Sequence, residues 1–196
     1  TLVARTLNPF NWWRFVGGSA GRSELAADYY DEILFDGATF AVPGAAGVRF
    51  RAIALLSKAA PYSPHREAPV PGDNIGLLIT DEQTSRSAFY APGLGEITPA
   101  LFDTMGRADA VLVDGTFWTD DEMPSMDLSK KTARDIGHLP QSGALGMIEW
   151  LRRLPPTTRK LLIHINNTNP ILNEDSPERA ALAREHRQAV RRGQRV

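Results

Sequence analysis

The sequence predicts an α/β or α+β domain, a sheet covered by helices on at least one face. Three observations predict it. Short apolar runs bounded by turn residues read as strands from residue 33 onward. Other segments repeat their apolar residues at three- and four-residue steps, as helices do. The order is a run of strands, then helix, strand, helix, strand, helix, which suits a sheet with helices packed on it.

Taken in order, EILFDGATFAVPG reads as a strand pair turning at Asp36-Gly37, a dipeptide that tolerates the positive φ of a tight hairpin. In VRFRAIALL, Val48, Phe50, Ala52 and Ala54 alternate on one face before the apolar pair Leu55-Leu56. NIGLLIT and SAFYAP are two further strands around the polar turn DEQTSR. ITPALFDTMGRA carries Ile97, Leu101, Phe102 and Met105 at helical spacing after Gly95. ADAVLVDG is an apolar run of the kind buried on both sides of a sheet. SGALGMIEWLRRL spaces Leu145, Ile148, Leu151 and Leu154 as a helix with Ser142 as N-cap, and LLIHI is the last strand. SPERAALAREHRQAVRR begins a helix with Ser176 as N-cap and Pro177 at the first helical position. Residues 1–30 follow neither period, and Gly17, Gly18 and Gly21 interrupt whatever begins. Trp12, Trp13 and Phe15 there read as aromatics without their normal partner.

Composition narrows the function classes. The 22 basic and 23 acidic residues leave a formal charge of -1, so no global field draws the chain to nucleic acid. The absence of cysteine excludes disulfides, thiolate metal sites and a cysteine nucleophile, so any metal must use His, Asp, Glu or backbone oxygen. No apolar run reaches the ~20 residues of a spanning helix, and TLVARTLNPFNWWRF lacks the apolar stretch of a signal peptide, so the expectation is a cytoplasmic protein without membrane insertion. The chain starts at Thr1 and its first methionine is Met105, which reads as a fragment.

The candidate site residues stand at the ends of apolar runs. AVLVDGTFW delivers Asp114 at a strand end, KLLIHINNTNPI delivers His164 followed by three asparagines, and TARDIGHLPQSGA delivers His138. A histidine at the end of a sheet can hold a metal through one nitrogen while a carboxylate orients the other. The plainer alternative makes His164 a satisfied core histidine and Asp114 a turn-forming residue. Four prolines stiffen PYSPHREAPVPGDNIG around His65 and Asp73, and that loop suits a pocket wall or a tied-down surface equally. The Gly93 and Gly95 of APGLGEI lack the spacing of a phosphate cradle. The arginines of REHRQAVRRGQRV read as a solvated basic tail.

Together PYSPHREAPVPGDNIGLLITDE, FYAPGLGEI, LVDGTFWTDDEM, IGHLPQSGALGMIE and LLIHINNTNPILNEDSPERA closely resemble the coenzyme PQQ synthesis protein B family, in order from Ile33 to Arg184. The resemblance implies a metallo-β-lactamase-like αββα sandwich, of which this chain is the C-terminal portion. It divides the chain into an atypical lead-in at 1–32, the family-like region at 33–184 and an atypical basic tail at 185–196. It implies that His164 is a metal ligand, that His138 is a second ligand or a proton carrier, and that Asp114 lies nearby as a catalytic or orienting group. The superfamily's His/Asp-rich metal loop has no counterpart in residues 1–30, and Pro92 and Gly93 stand where relatives carry an acid.

The implied cofactor is iron or zinc. The implied function is biosynthesis of pyrroloquinoline quinone (PQQ), through metal-dependent oxidation or hydroxylation of the tyrosine-derived part of a peptide precursor. The alternative is a carrier that moves PQQ or its precursor toward the periplasm, with Arg66, Lys58 or the tail arginines gripping carboxylates. The partners implied are that precursor or PQQ itself and other PQQ-pathway proteins. Self-association is also expected, since a half sandwich leaves one sheet face uncovered.

Overall fold

The computed structural model describes residue 37 and residues 39–42, 44–58, 67–68 and 73–193, with 186–193 described by their backbone alone. The lead-in with its aromatics, the greater part of the proline-rich loop with His65 and Arg66, and the first strand expected before Gly37 lie outside the described residues.

Six strands form one sheet in chain order: β1 (Thr39–Phe40), β2 (Val48–Ala54), β3 (Ile75–Asp81), β4 (Ser87–Ala91), β5 (Ala110–Asp114) and β6 (Arg159–Ile163). The pairings from β1 to β4 are antiparallel, and β4, β5 and β6 run parallel. The helices are α1 (Pro99–Arg107), α2 (Glu122–Ser125), α3 (Met147–Arg153) and α4 (Pro177–Gly193). Two crossovers, through α1 and α3, step in the same direction along the parallel strands. Because such crossovers are right-handed, both helices land on the same face of the sheet.

That face holds the main core. Phe89 and Ala91 from β4 and Val111 and Val113 from β5 are buried against Leu101 and Met105 of α1 and Met147 and Leu151 of α3. Phe89, Met105, Val111, Val113 and Met147 are wholly buried, and each such side chain contributes roughly 1.5–3 kcal/mol. Thr98 caps α1 by accepting the Leu101 amide at 3.2 Å, with Pro99 in the first turn. Ser176 caps α4 as expected, its hydroxyl accepting the Arg179 amide at 3.0 Å.

The start of α3 corrects the sequence reading. Ser142 is not its N-cap; the helix begins at Met147 with Gly146 in the cap position. Gly143 and Leu145 both take positive φ, 83° and 56°, which no α-helix accommodates. Ser142 instead bonds the Trp118 carbonyl twice, through its amide at 2.9 Å and its hydroxyl at 2.7 Å. The four-residue α2 and the 3-10 turns Arg134–Ile136 and Pro170–Leu172 are too short to leave a periodic signal.

The opposite face differs from the expectation for β5. Its hydrophobic cluster, Ala52, Ile75 and Leu77 with Phe40, Phe50, Ile79 and Tyr90, comes from strands alone. Leu112 is only half buried and Leu161 remains 38% exposed. We expect this face to drive association of the isolated chain. Sedimentation velocity should show the mass rising with concentration, whereas a monomer throughout would contradict it. No helix among the described residues is long and apolar enough to cross a membrane.

Candidate metal centre

Parallel pairing sets Asp114, the last residue of β5, opposite Ile163, the last residue of β6, so His164 leaves the sheet beside it. Carboxyl ends of neighbouring parallel strands are where open α/β sheets bind ligands. His138 joins them from the loop after the Arg134–Ile136 turn. One carboxylate oxygen of Asp114 and one ring nitrogen from each of His138 and His164 all lie within 4.8 Å of one another, the only such group among the described residues.

Asp114 is wholly buried and held by four donors. Its Oδ2 accepts the Leu94 amide at 3.1 Å and lies 2.6 Å from His138 Nδ1. Its Oδ1 accepts the Thr116 amide at 2.9 Å and the Thr116 hydroxyl at 2.5 Å. A carboxylate has about four lone-pair sites, and all are in use. Asp114 thus fits the part of an orienting group better than that of a metal ligand.

Each neighbouring segment has a reason to be where it is. Gly115 lies so close to β6 that a Cβ would sit 2.7 Å from Ile165 Cδ1 and 2.9 Å from Leu162 Cβ. Gly115→Ala should therefore lower stability by about 1–3 kcal/mol, seen as a lower urea midpoint at unchanged slope. Gly137 has φ of 92°, and a Cβ there would meet Ser57 Oγ at 2.8 Å and the Lys58 amide nitrogen at 2.9 Å. Ser57 also donates to the Gly137 carbonyl at 2.6 Å, which fixes the residue before His138. The Leu139 amide bonds the Leu94 carbonyl at 2.8 Å, so the Gly93–Gly95 loop holds the Asp114–His138 pair rather than a phosphate.

Two of the three asparagines after His164, Asn166 and Asn169, are clamps. Asn169 is buried, and its amide donates to the carbonyls of Gly115 at 3.2 Å and Thr116 at 3.1 Å. Gln141, wholly buried, donates to the Gly115 carbonyl at 2.6 Å, and the Asn166 amide bonds the Thr116 carbonyl at 3.0 Å. Asn166 also donates to the Thr168 hydroxyl at 2.5 Å, and that hydroxyl donates to buried Glu122 at 2.6 Å. His164 sits at φ of 58°, a left-handed conformation that costs roughly 1–2 kcal/mol and persists because these bonds fix both sides of it.

The two rings lie 5.5 Å apart between centroids, and Phe117 meets His138 edge-on at 5.8 Å. Both histidines turn Nδ1 to the Asp114–Thr116 pair, since the Thr116 hydroxyl lies 3.1 Å from His138 Nδ1 and 2.9 Å from His164 Nδ1. Neither Nε2 has a hydrogen-bond partner among the described residues. Two imidazole nitrogens without a partner among the described residues, backed by a buried carboxylate, fit part of a zinc or iron centre, and a four-coordinate zinc needs two further donors.

The structure thus brings together Asp114, His138 and His164, the residues read from the sequence. It adds Thr116, Gln141 and Glu122, which that reading missed. Thr116 alone left a trace, because a Thr two residues after an Asp forms a local side-chain turn. Lys58 is paired with Glu67 at 3.3 Å, and the arginine side chains beyond Glu185 lie outside the described residues.

Comparison with known proteins agrees with the fold of helices on a mixed sheet. The family model for the beta-lactamase superfamily domain matches residues 27–165, a span that closes just after His164. The chain is 62% identical to coenzyme PQQ synthesis protein B of Azoarcus sp. strain BH72 over 144 residues, 74% of this chain and 47% of that protein. It is 62% identical to the protein of the same name from Cupriavidus necator over 149 residues, 76% of this chain and 48% of that one. The crystal structure of Zn(2+)-bound PqqB from Methylobacterium extorquens superposes with a TM-score of 0.68 at 30% identity, covering 76% of this chain and 50% of that chain. The chain spans about half the length of the curated relatives it matches.

Proposed function

Because this chain belongs to the beta-lactamase superfamily, we propose that it supplies one side of a metal centre in a protein of PQQ biosynthesis. The observation that carries this reading is the buried Asp114 with both imidazoles turned so that neither Nε2 has a partner among the described residues. His138 and His164 would hold the metal, zinc as in the Methylobacterium extorquens protein or iron. When bound, the metal supplies activation of oxygen or water for oxidation or hydroxylation of a tyrosine-derived precursor.

The chain's own residues then have separate tasks. Asp114 keeps the His138 proton on Nδ1, so Nε2 is offered to the metal or, in the alternative role of a proton carrier, to a proton in its place. Phe117, buried and edge-on to His138, keeps one side of that ring dry. His164, exposed at the strand end, is the ligand most open to exchange.

The test is metal analysis of the chain together with precursor turnover by a preparation that also contains the rest of the relatives' length. Stoichiometric metal and consumption of the precursor are expected. Stoichiometric binding of PQQ with the precursor untouched would instead favour a carrier.

A further inference from the structure

His138 has a carboxylate against its Nδ1, but among the described residues His164 has only a hydroxyl. That hydroxyl has a single hydrogen and two lone pairs, and three groups compete for it. Asp114 Oδ1 lies at 2.5 Å, His164 Nδ1 at 2.9 Å and His138 Nδ1 at 3.1 Å. A charged acceptor forms the shorter and stronger bond, so the hydrogen goes to Asp114. The lone pairs of Oγ1 then face both rings. His164 can bond there only by donating, which puts its proton on Nδ1 and strips Nε2. His138, whose Nδ1 proton is committed to Asp114 Oδ2 at 2.6 Å, uses the other lone pair as a weaker second acceptor.

We propose that Thr116 is the positioning residue through which the buried Asp114 carboxylate sets the proton position of His164, while the same carboxylate sets that of His138 directly. No second carboxylate is needed at His164. The clamps on the Thr116 backbone acquire a purpose, because the Asn169 side chain at 3.1 Å and the Asn166 amide at 3.0 Å both hold its carbonyl and hence its side chain. The role rests on the metal-centre reading for its use, while the proton positions can be measured without any metal.

The experiment is ring-nitrogen NMR on the metal-free, 15N-histidine-labelled chain, read at the alkaline end of a pH series where the ring patterns no longer change. The four histidines give four ring patterns, assigned with His65→Gln, His186→Gln and His164→Gln. Both His138 and His164 should carry the proton on Nδ1. In Thr116→Val, His138 should keep that form through Asp114 while His164 moves toward the Nε2-protonated form. Zinc affinity, measured by competition with a chromogenic chelator, should fall about 10–100-fold, the range for losing an orienting partner. Thr116→Ser, which keeps the hydroxyl, should restore both readings.

An Nε2-protonated His164 in the unaltered chain would overturn the proposal, as would an unchanged His164 pattern in a folded Thr116→Val. If the valine variant does not fold, the unaltered chain and Thr116→Ser still decide it. Expected proton positions with no zinc bound even when the rest of the relatives' length is present would defeat the metal-centre reading and leave the role of Thr116 standing.

Discussion

Replacing Asp114 with alanine is expected to destabilise the chain by roughly 2–6 kcal/mol and to weaken metal binding about 10–100-fold in the same step. The range follows from two buried amides, Leu94 and Thr116, that lose their acceptor at about 1–3 kcal/mol each. The weaker metal binding follows because the His138 Nδ1 proton no longer has its acceptor at 2.6 Å, nor the Thr116 hydroxyl its own at 2.5 Å. Asp114→Asn keeps the shape but offers one acceptor oxygen and an NH2 that can only donate, so at least one of the two histidine-side bonds must be rebuilt. Chemical unfolding with zinc titration checks both variants. An alanine variant that unfolds at the midpoint of the parent chain would refute the burial argument.

His164→Ala is expected to do the opposite: to remove the metal and leave the metal-free fold within about 1 kcal/mol of the parent. The side chain is exposed, and substitutions at exposed sites seldom move stability far. Its loss should nevertheless weaken zinc by more than the roughly 100-fold that marks the upper end for an orienting partner. Zinc should raise the melting temperature of the parent chain by mass action and leave that of His164→Ala where it was. The same holds for His164→Gly, where the absence of Cβ also relieves the left-handed backbone at φ of 58°. Retention of stoichiometric zinc in either variant would remove His164 from the metal centre.

The contrast between these two residues shows where sequence reading stops. Both stand at the ends of apolar runs, and the patterns AVLVDG and LLIHIN announced both as candidates. Nothing in either string says that Asp114 is wholly buried with four donors while His164 is exposed. Burial depends on the Leu94 loop and on Gly115 pressing against Ile165 and Leu162, contacts between segments many residues apart. The reading of SGALGMIEWLRRL failed for a similar reason. Its apolar spacing is helical throughout, but Gly143 and Leu145 adopt left-handed φ and Ser142 is drawn to the Trp118 carbonyl.

The sequence by itself determined the alternation of strands and helices, the caps at Ser176 and Pro177, and the three side chains capable of chemistry. Those are local matters of period, capping geometry and residue type, each set within a few positions of the chain. Only the tertiary structure decided that β5 and β6 run parallel and end level, so that Asp114 and His164 emerge side by side with His138 across from them. It alone decided that a threonine hydroxyl stands between the rings and that buried Gln141 and Asn169 hold the backbone beneath it. The physical reason is that hydrogen-bond partners are chosen by distance in space. A single hydroxyl proton is assigned by which of three acceptors folding brings nearest, and no spacing along the chain records that choice.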